Sequence, residues 1–235
     1  MGWFSARRYS FAPKAISLYD AWRRAIPSDN AEGAVNEVHL QRCSSAEWAQ
    51  AVEEFILPWA LKDIDLGDDV IEVGPGPGLT TDVLRRHVSR LTAVETDAAL
   101  AAGLAARVVG TNVEVVHADA TDMSFEDDRF SAAGSFTMLH HVPSPQLQDQ
   151  LLAELARVLR PGGVLVGVDG IDSPEFRDLH EGDVCVPVDP ATFADRLRRA
   201  GFVDPDVEAN EFGFRFTARV LVRAPAKLCH TRCES

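Results

Sequence analysis

The 235 residues carry 36 acidic side chains against 23 Lys and Arg, a formal net charge of −13. With 46% hydrophobic and 25% charged residues, the composition is that of a globular chain, long enough for one larger α/β domain. The acidic balance argues against a nucleic-acid partner, because non-specific backbone binding rests on clustered Lys and Arg.

The charge is uneven. In residues 1–30, Arg7, Arg8, Lys14, Arg23 and Arg24 face only Asp20 and Asp29, a local +3 that leaves −16 for the remainder. Asymmetry of this kind marks a terminal arm, so residues 1–43 are read as a partly irregular N-terminal arm. No stretch approaches the roughly 18 to 20 apolar residues that span a bilayer. The start of the chain lacks the apolar region of a secretory signal, and Ala6 breaks the myristoylation pattern. Stable membrane insertion is therefore not expected, although Trp3, Phe4 and the arginines could touch a surface. Cys43, Cys185, Cys229 and Cys233 are too scattered for a disulfide framework and fit reduced thiols in the cytoplasm. Cys229-His230-x-x-Cys233 has no second cluster to complete a metal site, so no metal is assigned. The oligomeric state is not legible.

In chain order, Ser44-Ser45-Ala46-Glu47 reads as a capping box with Ser44 as N-cap. The helix it opens, over 44–63, aligns Trp48, Val52, Phe55, Ile56 and Trp59 as a stripe that caps the following domain. That domain is placed at 44–222, with a tail at 223–235. Asp69–Val73 is the first strand, and it runs into Gly74-Pro-Gly-Pro-Gly78. A helix follows from Thr80 to about His87. Arg90–Glu95 is the second strand, Asp97 caps an alanine-rich helix, and Val113–His117 is the third strand. Phe130–Phe136, rich in small residues, is a central fourth strand. Ser144-Pro145 starts a helix that Arg160-Pro-Gly-Gly163 stops. Val164–Val168 is a fifth strand, apolar throughout as befits burial on both faces. Asp189-Pro190 opens the last helix. Val203–Ala209 and Phe212–Val222 form a hairpin. Segments 1–43, 120–129 and 170–188 read as irregular. The alternation demands a Rossmann-like, mostly parallel seven-stranded sheet in a three-layer α/β/α arrangement, ending in an antiparallel hairpin.

The Gly74–Gly78 loop lies between a strand and a helix, where ligands of open α/β sheets bind. Glycines let the chain turn sharply and let a ligand lie against bare N–H groups. Glu95 follows at the end of the second strand, where a carboxylate can accept both hydroxyls of an adenosine ribose. Asp119-Ala120 follows the third strand, placed to read an adenine edge. Dinucleotides and S-adenosylmethionine both use this layout. A dinucleotide fingerprint is G-x-G-x-x-G/A, but position 79 is Leu79, and the closing hairpin also disfavours a dinucleotide fold.

Val70-Ile-Glu-Val-Gly-Pro-Gly-Pro-Gly78, Val94-Glu-Thr-Asp97, His117-Ala-Asp-Ala120, Ser135-Phe-Thr-Met-Leu-His-His-Val142 and Arg157-Val-Leu-Arg-Pro-Gly-Gly163 stand in sequence. Together they resemble the successive motifs of class I S-adenosylmethionine-dependent methyltransferases, in particular the small-molecule enzymes similar to ubiquinone/menaquinone biosynthesis methyltransferases. The resemblance covers about residues 40–222. It implies S-adenosylmethionine as cofactor and a small-molecule acceptor whose O, N or C nucleophile is not specified. It places Glu72 near the methionine amino group, and Gly74, Pro75, Gly76 and Gly78 beside the methionine part and ribose. Glu95 would take the ribose hydroxyls and Thr96 the adenine wall. Asp119 and Ala120 would take the adenine, and Ser135 and Phe136 the transferred methyl. Ser131 stands where the family often has Asp, which implies a local packing change.

His140, just beyond the fourth strand, is the candidate base, with a side chain suited to proton removal near neutrality. The 170–188 segment, with Arg177, His180, Glu181 and Asp183, is a candidate acceptor wall. Asn36, His39 and the 44–61 helix would cover the pocket from the other side. Two other readings stay open: a nicotinamide-dependent (NAD-type) oxidoreductase, and a binding protein that keeps the cofactor site without turnover.

Overall fold

A computed structural model describes residues 37–222 of the chain. The basic arm, Asn36 and the Cys229–Cys233 tail lie outside the described residues. Seven strands form one sheet in the order β3-β2-β1-β4-β5-β7-β6. They are β1 (Asp69–Val73), β2 (Arg90–Glu95), β3 (Val113–His117), β4 (Phe130–Phe136), β5 (Leu159–Gly170), β6 (Phe202–Ala209) and β7 (Gly213–Val220). The first five pair in parallel, and β7 enters antiparallel between β5 and β6. The expected Rossmann-like sheet with its C-terminal hairpin is the observed one.

The strand residues divide between two apolar layers, as period-two geometry requires. On one face Val70, Ala132, Val164, Val166 and Val168 pack with Val83 and Leu84 of α4 (Leu79–Leu84) and with Leu57 and Ala60 of α3 (Leu57–Ala60). On the other, Ile71, Val73, Ala133 and Leu165 pack under α6 (Pro145–Val158) and α8 (Pro190–Arg199). Leu151, Leu155, Phe193 and Leu197 are the fully buried anchors of those two helices. A smaller cluster joins Ala93 to Leu104 of α5 (Ala98–Arg107). Helices on both faces complete the three layers.

The helix starts follow local chemistry. Asp97 accepts from the N–H groups of Ala99 and Leu100, Ser144 from that of Leu147 and Asp189 from that of Ala191, each filling orphan donors of a first turn. Several expectations need correction. The cap before Trp48 is Ser45, whose Oγ accepts the Trp48 N–H at 3.1 Å, while Ser44 Oγ donates to Leu40 O. The single helix expected over 44–63 is broken: α2 (Ala46–Ala51) runs into a π-helical stretch over Val52–Ile56 before α3. The wider turn brings Val52 and Leu57 to the core and leaves Phe55 half-buried. Two segments read as irregular contain helix, α1 (Glu37–Cys43) and α7 (Pro174–Leu179). The 120–129 loop is irregular as expected, and Arg157 holds it by donating to Met123 O at 2.8 Å and Phe125 O at 2.7 Å. Among the described residues, no helix is long and apolar enough to cross a membrane.

Candidate active site

The chain leaves β1 toward β2 and β3, then crosses back to β4 on the other side. The carboxyl ends of β1 and β4 therefore flank the switch point, where open α/β sheets bind ligands. Strand register puts Glu72 beside Gly134 and Val73 beside Ser135 there.

Glu72 is buried, and both its oxygens are engaged: Thr81 Oγ1 donates to one at 2.6 Å and Thr80 Oγ1 to the other. Burial pushes its carboxyl up to about 7, against the pull of the two threonine bonds. The glycine loop follows. A Cβ on Gly74 would fall 2.7 Å from Met138 Cε, so the loop after β1 packs directly on the segment after β4. Gly76 has φ +54°, and a Cβ there would meet nothing within 4 Å. The backbone at Gly76 thus faces open space in a conformation that favours glycine. Glu95 ties this loop to β2, because Oε2 accepts the Gly76 N–H at 2.9 Å and Oε1 the Asp97 N–H at 2.9 Å. Each oxygen keeps a further lone pair for a ligand hydroxyl.

Asp119 is exposed beyond β3, its Oδ1 accepting from Thr121 N–H at 2.8 Å, and Ala120 beside it is buried. Thr96 is exposed at the end of β2, Pro75 is buried, and Gly78 caps α4. On β4, Ser135 and Phe136 are buried, and Ser135 Oγ has no hydrogen-bond partner among the described residues. A buried hydroxyl costs free energy unless something bonds it. Thr137, the next residue but one, has φ +52°, a strained conformation for a β-branched side chain. Ser131 lies at the other end of β4, where its Oγ accepts the Asp69 N–H at 3.0 Å and sits 2.7 Å from Leu66 O.

The structure brings together Glu72, the glycine loop, Glu95 and Ser135, with Thr96, Asp119 and Ala120 at the neighbouring strand ends. These residues fit an adenosyl group on three counts. Gly76 has open space where a side chain would stand, the Glu95 carboxylate retains acceptor capacity, and the buried Ser135 hydroxyl has no partner among the described residues.

His140 lies in a 3-10 turn, Leu139–His141, directly after β4. It is buried, and its Nδ1 pairs with Oδ1 of Asp169, an acid buried near the end of β5. Asp169 Oδ2 also accepts the His140 backbone N–H at 3.2 Å. His140 Nε2 lies 3.0 Å from His180 Nε2. His39 of α1 and His141 complete a group of four imidazoles, with Phe176 against His140 and His180. Burial pushes the His180 imidazole down to about 4 and holds His39 and His141 below their ordinary value, with repulsion from His140 adding to it. Arg177, in contrast, is exposed and pairs with Asp172 at 2.6 Å. Burial pushes the Cys43 thiol up to about 12 and Cys185 to about 11, so neither is a ready nucleophile.

Sequence reasoning missed Asp169. Its signal was a lone acid closing an otherwise apolar strand. It also missed the meeting of His39 with His180, 141 positions apart, for which no local pattern exists.

Residues 71–167 match the family model described as a methyltransferase domain. A demethylmenaquinone methyltransferase of Clavibacter sepedonicus is 32% identical over 120 residues, covering 51% of this chain and 45% of that protein. A ribosomal RNA small subunit methyltransferase A of Kineococcus radiotolerans is 38% identical over 155 residues, covering 62% of this chain and 49% of that protein. The chain thus spans about half the length of these curated relatives. A phosphoethanolamine N-methyltransferase 2 of Haemonchus contortus, solved in complex with S-adenosyl-L-methionine, shares the fold with a TM-score of 0.60 at 17% identity, covering 75% of this chain and 53% of that one. Over residues 71–167 the chain thus matches a methyltransferase domain, and the motif order, the sheet and the glycine loop agree with the class I S-adenosylmethionine-dependent type.

Proposed function

We propose that residues 44–222 bind S-adenosylmethionine at the carboxyl ends of β1–β4 and transfer its methyl group to a small-molecule acceptor. The observation that carries this reading is the pairing of the Glu95 carboxylate with the open backbone at Gly76. In this reading Glu95 receives the ribose hydroxyls. Asp119 accepts from the adenine amine, with Ala120 and Thr96 as walls. Pro75 and Gly78 fix the loop. Glu72 lies toward the methionine amino group, and Ser135 and Phe136 border the methyl.

The cofactor supplies an electrophilic methyl on a sulfonium, so the protein's part is alignment in a dry pocket. Phe136 and Leu139, both buried, exclude water from the end of β4. His140 takes the acceptor's proton where the nucleophile needs one. A carboxylate only accepts, so Asp169 fixes the proton on Nδ1 and leaves Nε2, which lies 3.0 Å from His180 Nε2, as the atom that exchanges a proton. We place the domain in the cytoplasm, in keeping with the free thiols Cys43 and Cys185.

A small acceptor is favoured over RNA by the charge balance, −16 beyond the first 30 residues. The test is a panel of small O-, N- and C-nucleophiles and a structured RNA, each incubated with methyl-labelled S-adenosylmethionine. Label in a small acceptor supports the reading, and label in RNA alone overturns it.

A further inference from the structure

His39, His141 and His180 come from three separate segments: α1, the turn after β4 and the end of α7. Their ligand nitrogens lie within 4.8 Å of one another. In each ring Nδ1 is held by an oxygen. His39 Nδ1 meets Asp183 Oδ2 at 2.7 Å, His141 Nδ1 meets Val184 O at 3.0 Å, and His180 Nδ1 meets Phe176 O at 2.6 Å. Carboxylate and carbonyl oxygens only accept, so each Nδ1 carries the proton and Nε2 is the ligating atom of each neutral ring, that of His180 in exchange for its contact with His140. Metal-ligating histidines are oriented in this way, the second nitrogen donating to a carboxylate or carbonyl.

We infer that His39, His141 and His180 form a binding site for a first-row divalent transition metal of the zinc class, joining α1 to the segments after β4 and α7. Three imidazoles suit zinc, which takes three protein nitrogens and leaves a fourth position for an exogenous ligand. Zinc–nitrogen bonds of about 2.0–2.1 Å put tetrahedral neighbours about 3.3 Å apart, so the three rings draw inward by roughly an ångström on binding. Burial lowers all three imidazoles below their ordinary value, which favours the neutral form that binds metal. His140 stands outside the trio, with Nε2 3.0 Å from His180 Nε2. Two lone pairs at that distance need a proton between them. A metal that takes the His180 lone pair displaces that proton, so metal binding and the His180–His140 contact compete.

The test uses the full chain stripped by chelator and titrated with Co2+ and Zn2+, with neither cofactor nor acceptor present. Its failure is therefore separate from any failure of methyl transfer. One tightly held equivalent is expected, with visible Co2+ absorption of low-symmetry nitrogen coordination and a raised melting temperature. His39→Gln and His180→Gln should weaken binding at least about 100-fold, and Asp183→Asn, which keeps all three ligands, about 10- to 100-fold. His87→Gln and the pair Cys229→Ser with Cys233→Ser should bind as wild type. The absence of a bound equivalent overturns the inference. So does a Co2+ band that survives His39→Gln and His180→Gln, or one lost in the Cys229→Ser, Cys233→Ser variant.

Discussion

Asp169 holds His140 at two points, its Oδ1 on the ring Nδ1 and its Oδ2 on the backbone N–H at 3.2 Å. The acid therefore fixes both the tautomer of the imidazole and its position after β4. Asp169→Asn keeps the shape but can donate to Nδ1, which moves the ring proton to Nε2. Methyl transfer to an acceptor that must lose a proton should then fall about 100-fold in kcat. Cofactor affinity should stay within about threefold, since Asp169 lies on β5, away from the glycine loop. A paired measurement of kcat and the cofactor Kd checks this. Equal losses in both would make Asp169 a structural residue only.

Glu72 gives stability a pH dependence. Its carboxyl titrates near 7 in the fold, because burial raises it, against 4.5 as its ordinary value. Below 4.5 both states are protonated. Between 4.5 and 7 the unfolded chain releases the proton and the fold does not, so stability falls as pH rises through that window. Glu72→Gln removes the titration and can still bond Thr80 and Thr81. The difference in urea midpoint, wild type minus variant, should decline from pH 4.5 to 7 and be level outside it. A flat difference would mean that Glu72 titrates normally.

Arg157 anchors the loop after β3. It donates to Met123 O and Phe125 O, and it pairs with Glu154 at 2.7 Å and Asp127 at 2.8 Å. Glu154 in turn accepts the Met123 N–H at 3.0 Å. Arg157→Ala strands these groups and should cost about 2 kcal/mol. Chemical denaturation reads the change directly. Proteolysis should move to residues 120–129.

Gly76 separates fold from ligand. A Cβ there clashes with nothing in the protein, so Gly76→Ala pays only the left-handed backbone strain, about 1 kcal/mol. That same Cβ projects into the space assigned to the cofactor. Thermal melting should drop slightly while cofactor affinity falls at least about tenfold. Gly78→Ala should behave in the opposite way, because its Cβ would lie 2.5 Å from Leu104 Cδ1 and Arg107 Nη2, inside the protein.

Much of the fold was legible because its signals are local. Asp97, Ser144-Pro145 and Asp189-Pro190 mark helix starts within three residues, and β4 matched its expected span to the residue. The glycine loop and Glu95 were legible for the same reason, 19 positions separating Gly76 from its acid. Ser44 and Ser45 are chemically equal as caps, and only the three-dimensional reach to Trp48 decides between them. The π-helical stretch was hidden because a 3.6-residue stripe through Val52 and Ile56 already looks regular. Asp169 with His140 spans 29 positions and His39 with Asp183 spans 144, distances over which only the folded sheet brings partners together.

Glu95 and the side-chain-free backbone at Gly76 together define the proposed S-adenosylmethionine site. Calorimetric titration of the full chain with S-adenosylmethionine and with NAD, for wild type and Glu95→Ala, tests it most directly. Removing two hydrogen bonds to a charged acceptor should weaken the affinity by roughly 10- to 100-fold. Wild type should bind one S-adenosylmethionine, Glu95→Ala should show that loss, and NAD should give no heat. Binding of NAD with no response to S-adenosylmethionine, or unchanged affinity in Glu95→Ala, would contradict this assignment.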